Sequence, residues 1–174
     1  KHNFKSGDFF YPNDIKQKTI KRRNYKFKRP WGLPVRFHDF KKLTKGIQPD
    51  FVEFHLSYKD LDLDFEKHIP PNNKMDFVVH SPELFIGDHT LDLCSSDETY
   101  RSKSVNELQR VIILTRKLNR HFSITKNPKI VVNVGGFSEN DFLSPEEKSQ
   151  CYSQLDDSLK KLDFDGVELI PQTM

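Results

Sequence analysis

Phe51-Val-Glu-Phe-His55 alternates apolar and ionisable residues and ends in a histidine. Successive side chains of a strand point to opposite faces, so Glu53 and His55 share a face that Val52 and Phe54 do not. Met75-Asp-Phe-Val-Val-His80 repeats the arrangement, with Val78 and His80 on one face. Lys129-Ile-Val-Val-Asn133 ends in an amide that shares its face with Val131, and Gly135-Gly136 follows. Gly166-Val-Glu-Leu-Ile170 sets Glu168 between two aliphatic neighbours. Leu33-Pro-Val-Arg-Phe-His38 is an earlier candidate, with Arg36 and His38 on one face. Five strands are expected, each with a polar or ionisable group at or near its carboxyl end.

The segments between these runs read as helices. Ser104-Val-Asn-Glu107 has the form of a capping box, in which the hydroxyl takes one orphan N–H and the acid reaches back to another. Val105, Leu108, Val111, Ile112, Thr115, Leu118 and Phe122 follow at a spacing of three or four, which makes one buried stripe. Ser144-Pro-Glu-Glu147 repeats the start signal with proline at the first helical position, and Cys151, Leu155, Leu159 and Leu162 form its stripe. A short helix from Phe40 to Lys45 joins the first two strands. Strands alternating with single helices predict an α/β fold of parallel strands and crossover helices. A doubly wound sheet and a barrel both fit. No G-x-G-x-x-G or P-loop follows any strand, which lowers the nucleotide-binding doubly wound option. The polar segment from Ser81 to Lys103 reads as a long loop, and long loops after strands suit a barrel whose active face is built from them.

Composition narrows the class. The 174 residues suffice for one cored domain; only 35% are hydrophobic and mean hydropathy is −0.71, but 15 phenylalanines supply large buriable surfaces. There is no apolar run of 18 residues and no secretory signal, so neither a membrane partner nor export is expected. Cys94 and Cys151, the two cysteines, lack C-x-x-C spacing and read as free thiols of a reducing cytoplasm. Eight of the 28 basic residues lie between Lys16 and Arg29 with no acid among them, leaving 20 against 25 acids elsewhere, a net of −5. The basic run reads as a solvated linker or docking face; nucleic acid is not the expected partner.

The coincidence of strand ends carries the chemistry. Carboxyl ends of parallel strands are where such folds bind ligands, and many ionisable groups in one layer are costly unless a metal or polar ligand pairs them. Imidazole and carboxylate around one point suit Zn²⁺, Mn²⁺ or Co²⁺, which polarises a sugar carbonyl while a carboxylate moves the proton. Plainer readings stand beside this one. Each histidine can be a hydrogen-bonded structural residue, Glu53 can pair with Arg36, and Gly135-Gly136 can be a tight turn rather than a place where backbone meets ligand. No nucleophile elbow, zinc-protease helix motif or cysteine nucleophile setting is present.

Arg29-Pro-Trp-Gly-Leu-Pro-Val-Arg-Phe-His-Asp-Phe40, Pro49-Asp-Phe-Val-Glu-Phe-His-Leu-Ser-Tyr-Lys-Asp60 and Val79-His-Ser-Pro-Glu-Leu-Phe85 together resemble a known setting. It is the C-terminal sugar-phosphate-isomerase/epimerase-like barrel of bacterial sialic acid synthase (N-acetylneuraminate synthase) family proteins. Val131-Val-Asn-Val-Gly-Gly-Phe137 and Gly166-Val-Glu-Leu-Ile-Pro-Gln-Thr-Met174 continue it, so residues 29–174 are expected to be the N-terminal part of a xylose isomerase-like TIM barrel of about five βα units. Residues 1–28 resemble the end of a SAF (antifreeze-like) domain followed by a basic linker. The resemblance implies His80 and Glu168 as catalytic and metal-binding residues, while their places at or near strand ends put Arg36, His38, Glu53, His55 and Asn133 around the substrate. It implies a sugar or sugar phosphate as substrate in acidic-sugar biosynthesis, and the synthase domain of the same chain as partner. Ligands that the wider superfamily places on later strands fall beyond Met174, about three strands short of barrel closure, so this stretch alone is expected to be inactive. A non-catalytic docking or regulatory domain is the alternative reading. An endonuclease IV-like DNA-repair enzyme ranks below both, because Asn133 stands where those enzymes carry a histidine.

Overall fold

The computed structural model describes residues 28–138 and 142–172. The stretch expected to be a SAF remnant and the basic run therefore lie, apart from Lys28 and Arg29, outside the described residues. The elements are β1 (Gly32–Val35), α1 (Phe40–Thr44), β2 (Phe51–His55), β3 (Asp76–His80), β4 (Leu84–Phe85), β5 (His89–Thr90), α2 (Glu98–Asn119), β6 (Lys129–Asn133), α3 (Pro145–Lys160) and β7 (Glu168–Gln172). Two short 3-10 turns, Tyr58–Asp62 and Phe65–Lys67, follow β2.

β1, β2, β3, β6 and β7 form one sheet in that spatial order, every neighbouring pair parallel. All five expected strands are present. The sheet buries one face. Val52 and Phe54 on β2, Phe77 and Val79 on β3, and Ile130 and Val132 on β6 are buried, while Phe51, Glu53, His55, Val78, His80 and Val131 are only partly covered. Phe40 of α1, Leu108, Ile112 and Leu118 of α2, and Leu155 and Leu159 of α3 pack with the buried set, so all three helices lie on that face.

Aromatic rings make the inner layer. Phe54 stands 5.8 Å from Phe40, 6.1 Å from Phe77 and 6.0 Å from Phe122, and Phe77 is 4.4 Å from Phe122. Each such ring buried from water stabilises the fold by about 1.5–3 kcal/mol, and edge contacts between rings add about 0.5–1.5 kcal/mol per pair. Three of these residues come from α1, β2 and β3 and the fourth follows the end of α2, so the layer ties distant chain segments together.

Three expectations are corrected. β1 ends at Val35, so Arg36 and His38 lie beyond the strand; the turn Phe37–Asp39 intervenes because the Arg36 N–H donates to Asp39 Oδ1 (2.7 Å) and the Phe40 N–H to the Arg36 carbonyl (3.0 Å). α2 starts at Glu98, not after Ser104. Asp97 is the cap, its Oδ1 accepting from the N–H groups of Thr99 (2.8 Å) and Tyr100 (3.0 Å). Ser104 instead lies fully buried inside the helix, where its Oγ accepts from the Asp92 N–H (3.0 Å) and meets His89 Nε2 at 3.0 Å. Glu107, expected to reach back to the cap, pairs with Arg110 at 2.7 Å. The second helix signal holds: Ser144 and Glu147 form the reciprocal capping box of α3, with Pro145 at its first turn. The long segment from Ser81 to Lys103 is not a bare loop, since it contains the β4–β5 hairpin and the first turn of α2.

His89 is 2% exposed, its ring 4.2 Å from that of Tyr100. Burial, assisted by the charge of Lys103, holds its pKa below the ordinary imidazole value. The unfolded chain therefore takes up a proton, as pH falls below about 6.5, that the folded protein resists. Stability is full above that pH and declines on acidification towards the depressed folded value. The Tm is expected to fall between pH 7 and pH 5, and the His89→Gln variant to show a flatter profile in the same scan. Phe54→Ala is expected to cost about 3–5 kcal/mol in urea unfolding through the cavity it leaves.

Candidate functional site

The sheet's other face is the candidate site. Cα pairing aligns His55 with His80, His80 with Val131 and Val131 with Ile170, which makes one row across four strands. Paired residues of parallel neighbours point the same way, so His55 and His80 project together from the carboxyl ends of β2 and β3. Their rings stack, with centroids 4.8 Å apart and planes 3° from parallel. His55 Nε2 lies 2.9 Å from Glu53 Oε1, one step back on the same strand face. His80 Nε2 lies 3.0 Å from Gln172 Oε1 on β7. Carboxylate and amide oxygens accept, so each imidazole places its N–H at Nε2. In the neutral rings Nδ1 keeps its lone pair.

The His80–Gln172 contact crosses β6, which stands between β3 and β7. On that strand Val131 is the residue aligned with His80. Side chains of two non-adjacent strands thus meet over this face, and the four groups Glu53, His55, His80 and Gln172 form one connected polar chain. His55 and Glu53 remain partly accessible, their side chains 44% and 31% exposed.

The other expected site residues are placed differently. Arg36 pairs with Asp60 at 3.6 Å and not with Glu53, which His55 takes. Asp60 is buried in the turn after β2, where its carboxylate also accepts from the Ser57 N–H at 2.7 Å. His38 is exposed in the turn after β1. Asn133 is buried at the end of β6, and its Oδ1 accepts from the Gly135 N–H at 3.2 Å. Glu168 shares the open face but aligns with Lys129 and Val78, two positions towards the amino end from the row of His80, and it pairs with Lys129 at 3.1 Å. The structure thus brings His55, His80 and Glu53 together and leaves Glu168 apart from them. Among the described residues there is no group of three or more His, Cys, Asp and Glu that could hold a metal ion.

Gln172 is a site residue that sequence reading passes over, because the last strand is expected to end at Ile170. The period-two sequence Glu168, Ile170, Gln172 is the signal that places it on the face. Gly135 and Gly136 also find their reason here. Both have positive φ (88° and 83°), and the Gly136 N–H donates to Asp92 Oδ1 at 3.0 Å. A Cβ on Gly135 would stand 2.6 Å from the Asp92 Cα. The glycines admit the chain's own loop against the end of β6.

Comparison with protein-family models, with curated proteins and with solved structures returns no match. The reading of this face therefore stands on its geometry. Gly135→Ala is expected to destabilise the fold by about 2–4 kcal/mol, combining a strained left-handed backbone with a clash against the loop backbone. Chemical denaturation of the variant measures this.

Proposed function

We propose that the five parallel strands belong to a (β/α) barrel whose open face binds a sugar or sugar phosphate, and that the Glu53–His55 pair moves a proton on it in an isomerase or epimerase reaction. The observation that carries the reading is the His55–His80 stack, held by Glu53 and Gln172 at the carboxyl ends of the strands. Sequential strand order with every helix on one face supports a barrel, since a doubly wound sheet reverses its order and covers both faces. The resemblance to the isomerase/epimerase-like barrel of sialic acid synthase proteins supports the substrate class.

The chemistry follows from the hydrogen bonds. Glu53 accepts from His55 Nε2–H and stabilises the imidazolium that forms when Nδ1 takes a proton. A sugar carbon beside a carbonyl supplies that proton, and the electron pair passes to the carbonyl oxygen as an enediolate. Return of the proton at the former carbonyl carbon, with the hydroxyl proton of the first carbon passing to the former carbonyl oxygen, completes an isomerisation; protonation of the first carbon on its opposite face by water, the imidazolium giving its proton back to solvent, completes an epimerisation. His80 and Gln172 hold hydroxyl groups nearby, in the way that convergent polar side chains fix a sugar. The divalent ion that the resemblance implies would need His80 and Glu168 to converge. Glu168 is engaged by Lys129 in a different row, so these two residues do not form a fitting ligand set, and the proton step falls to side chains.

Thermal-shift titration of the full-length protein with N-acetylneuraminate, N-acetylmannosamine 6-phosphate and fructose 6-phosphate tests the reading. At least one is expected to raise the Tm by several degrees at saturation, and His80→Ala to lose the rise. The sugar that binds is expected to take up solvent deuterium beside its carbonyl, about 10²–10⁴-fold more slowly in His55→Asn. Absence of any shift in wild type, with no deuterium uptake, would leave the docking domain as the better account.

A further inference from the structure

The loop after β5, the end of β6 and α3 meet beside the sheet. The Leu93 N–H donates to the Val134 carbonyl at 2.9 Å, and Ser158 Oγ of α3 donates to the Leu93 carbonyl at 2.8 Å. Asp92 Oδ1 accepts from the Cys94 N–H at 2.9 Å as well as from Gly136. This stitching puts the only two cysteines of the sequence on the walls of one cleft. Cys94 is buried, its Sγ 3.6 Å from the Val134 carbonyl oxygen. Cys151 lies two turns before Ser158 on α3, so the same helix face that touches Leu93 carries it towards Cys94. Both thiols line a cavity of about 280 Å³ that Asp92 and Glu147 also border, and both line its apolar neighbour of about 240 Å³ with Leu143 and Leu155. Gly136 adjoins Cys94, a Cβ there standing 3.8 Å from Sγ at ordinary contact distance.

We propose that Cys94 and Cys151 form an oxidation site that closes to an intramolecular disulfide, linking the loop before α2 to α3. Hydrogen peroxide is the oxidant class. The partly exposed Cys151 sulfur attacks a peroxide oxygen, giving a sulfenic acid and one water. The Cys94 sulfur then attacks Cys151 sulfur, the S–O bond breaks, and hydroxide leaves with the Cys94 proton as a second water. Two thiols lose two hydrogens and two electrons, and the peroxide is reduced to two waters. Burial pushes the Cys94 thiol up to about 12 and raises Cys151 as well, with Asp92 adding to both.

The full chain is treated with hydrogen peroxide, denatured and alkylated with iodoacetamide. The expected product has lost two hydrogens, carries no alkyl group, and yields one proteolytic peptide pair joined through Cys94 and Cys151. Cys151→Ser, a change on the more exposed partner, is expected to leave Cys94 alkylatable after the same treatment. Two alkyl groups on the treated wild type would overturn the proposal, as would sulfinic acid without a linked pair, or a bridge found only between two copies. These readouts involve no sugar, so their failure leaves the proposed function untouched.

Discussion

A layer of phenylalanine rings between sheet and helices is the constraint on which the rest depends. Phe54, on the buried face of β2, touches rings contributed by α1, β3 and Phe122, just past the end of α2. With that layer filled, the register of each strand is set. A shift by one residue would turn Glu53 and His55 into the apolar layer and Phe54 out of it, a cost of several kcal/mol from buried charge alone. The histidine row on the open face is thus the other side of the same register.

A second anchor works at the carboxyl edge. Asp92 accepts from two backbone N–H groups, one in its own loop and one beyond β6, and leaves no room for a side chain at Gly135. Ser104 and His89 hold the same loop from the helix side. The hairpin and the loop are therefore tied down by polar contacts around a few buried groups. An acidic shift acts on this region through His89, and oxidation acts on it through Cys94. Both influences enter through the loop beside the open face rather than through the aromatic layer.

Much of the fold was legible in the chain because its signals are local. The alternation in Phe51–His55 and Asp76–His80, and the Ser144–Glu147 capping box, each need only neighbouring residues to act. The start of α2 was misread for a related reason. Ser104 and Glu107 satisfy the cap pattern, but Asp97 offers a cap two turns earlier, and burial of Ser104 against Asp92 and His89 rewards the longer helix. Of the candidate site, Glu53, His55 and His80 could be grouped from face and strand end alone. Gln172 could not, because it depended on where the last strand stops.

By itself the sequence determined the α/β class, the five strands, and the presence of histidines at two strand ends, since periodicity encodes which side of a strand each residue takes. Only the tertiary structure decided which of those residues meet. Pairing register put His55 against His80 and set Glu168 two positions away beside Lys129, and the sheet brought Gln172 over β6 to His80. Arg36 went to Asp60, a partner contributed by the turn after β2. The physical reason is that a strand's pattern specifies direction, whereas contact across strands depends on the alignment of separate segments, which the packed aromatic layer fixes.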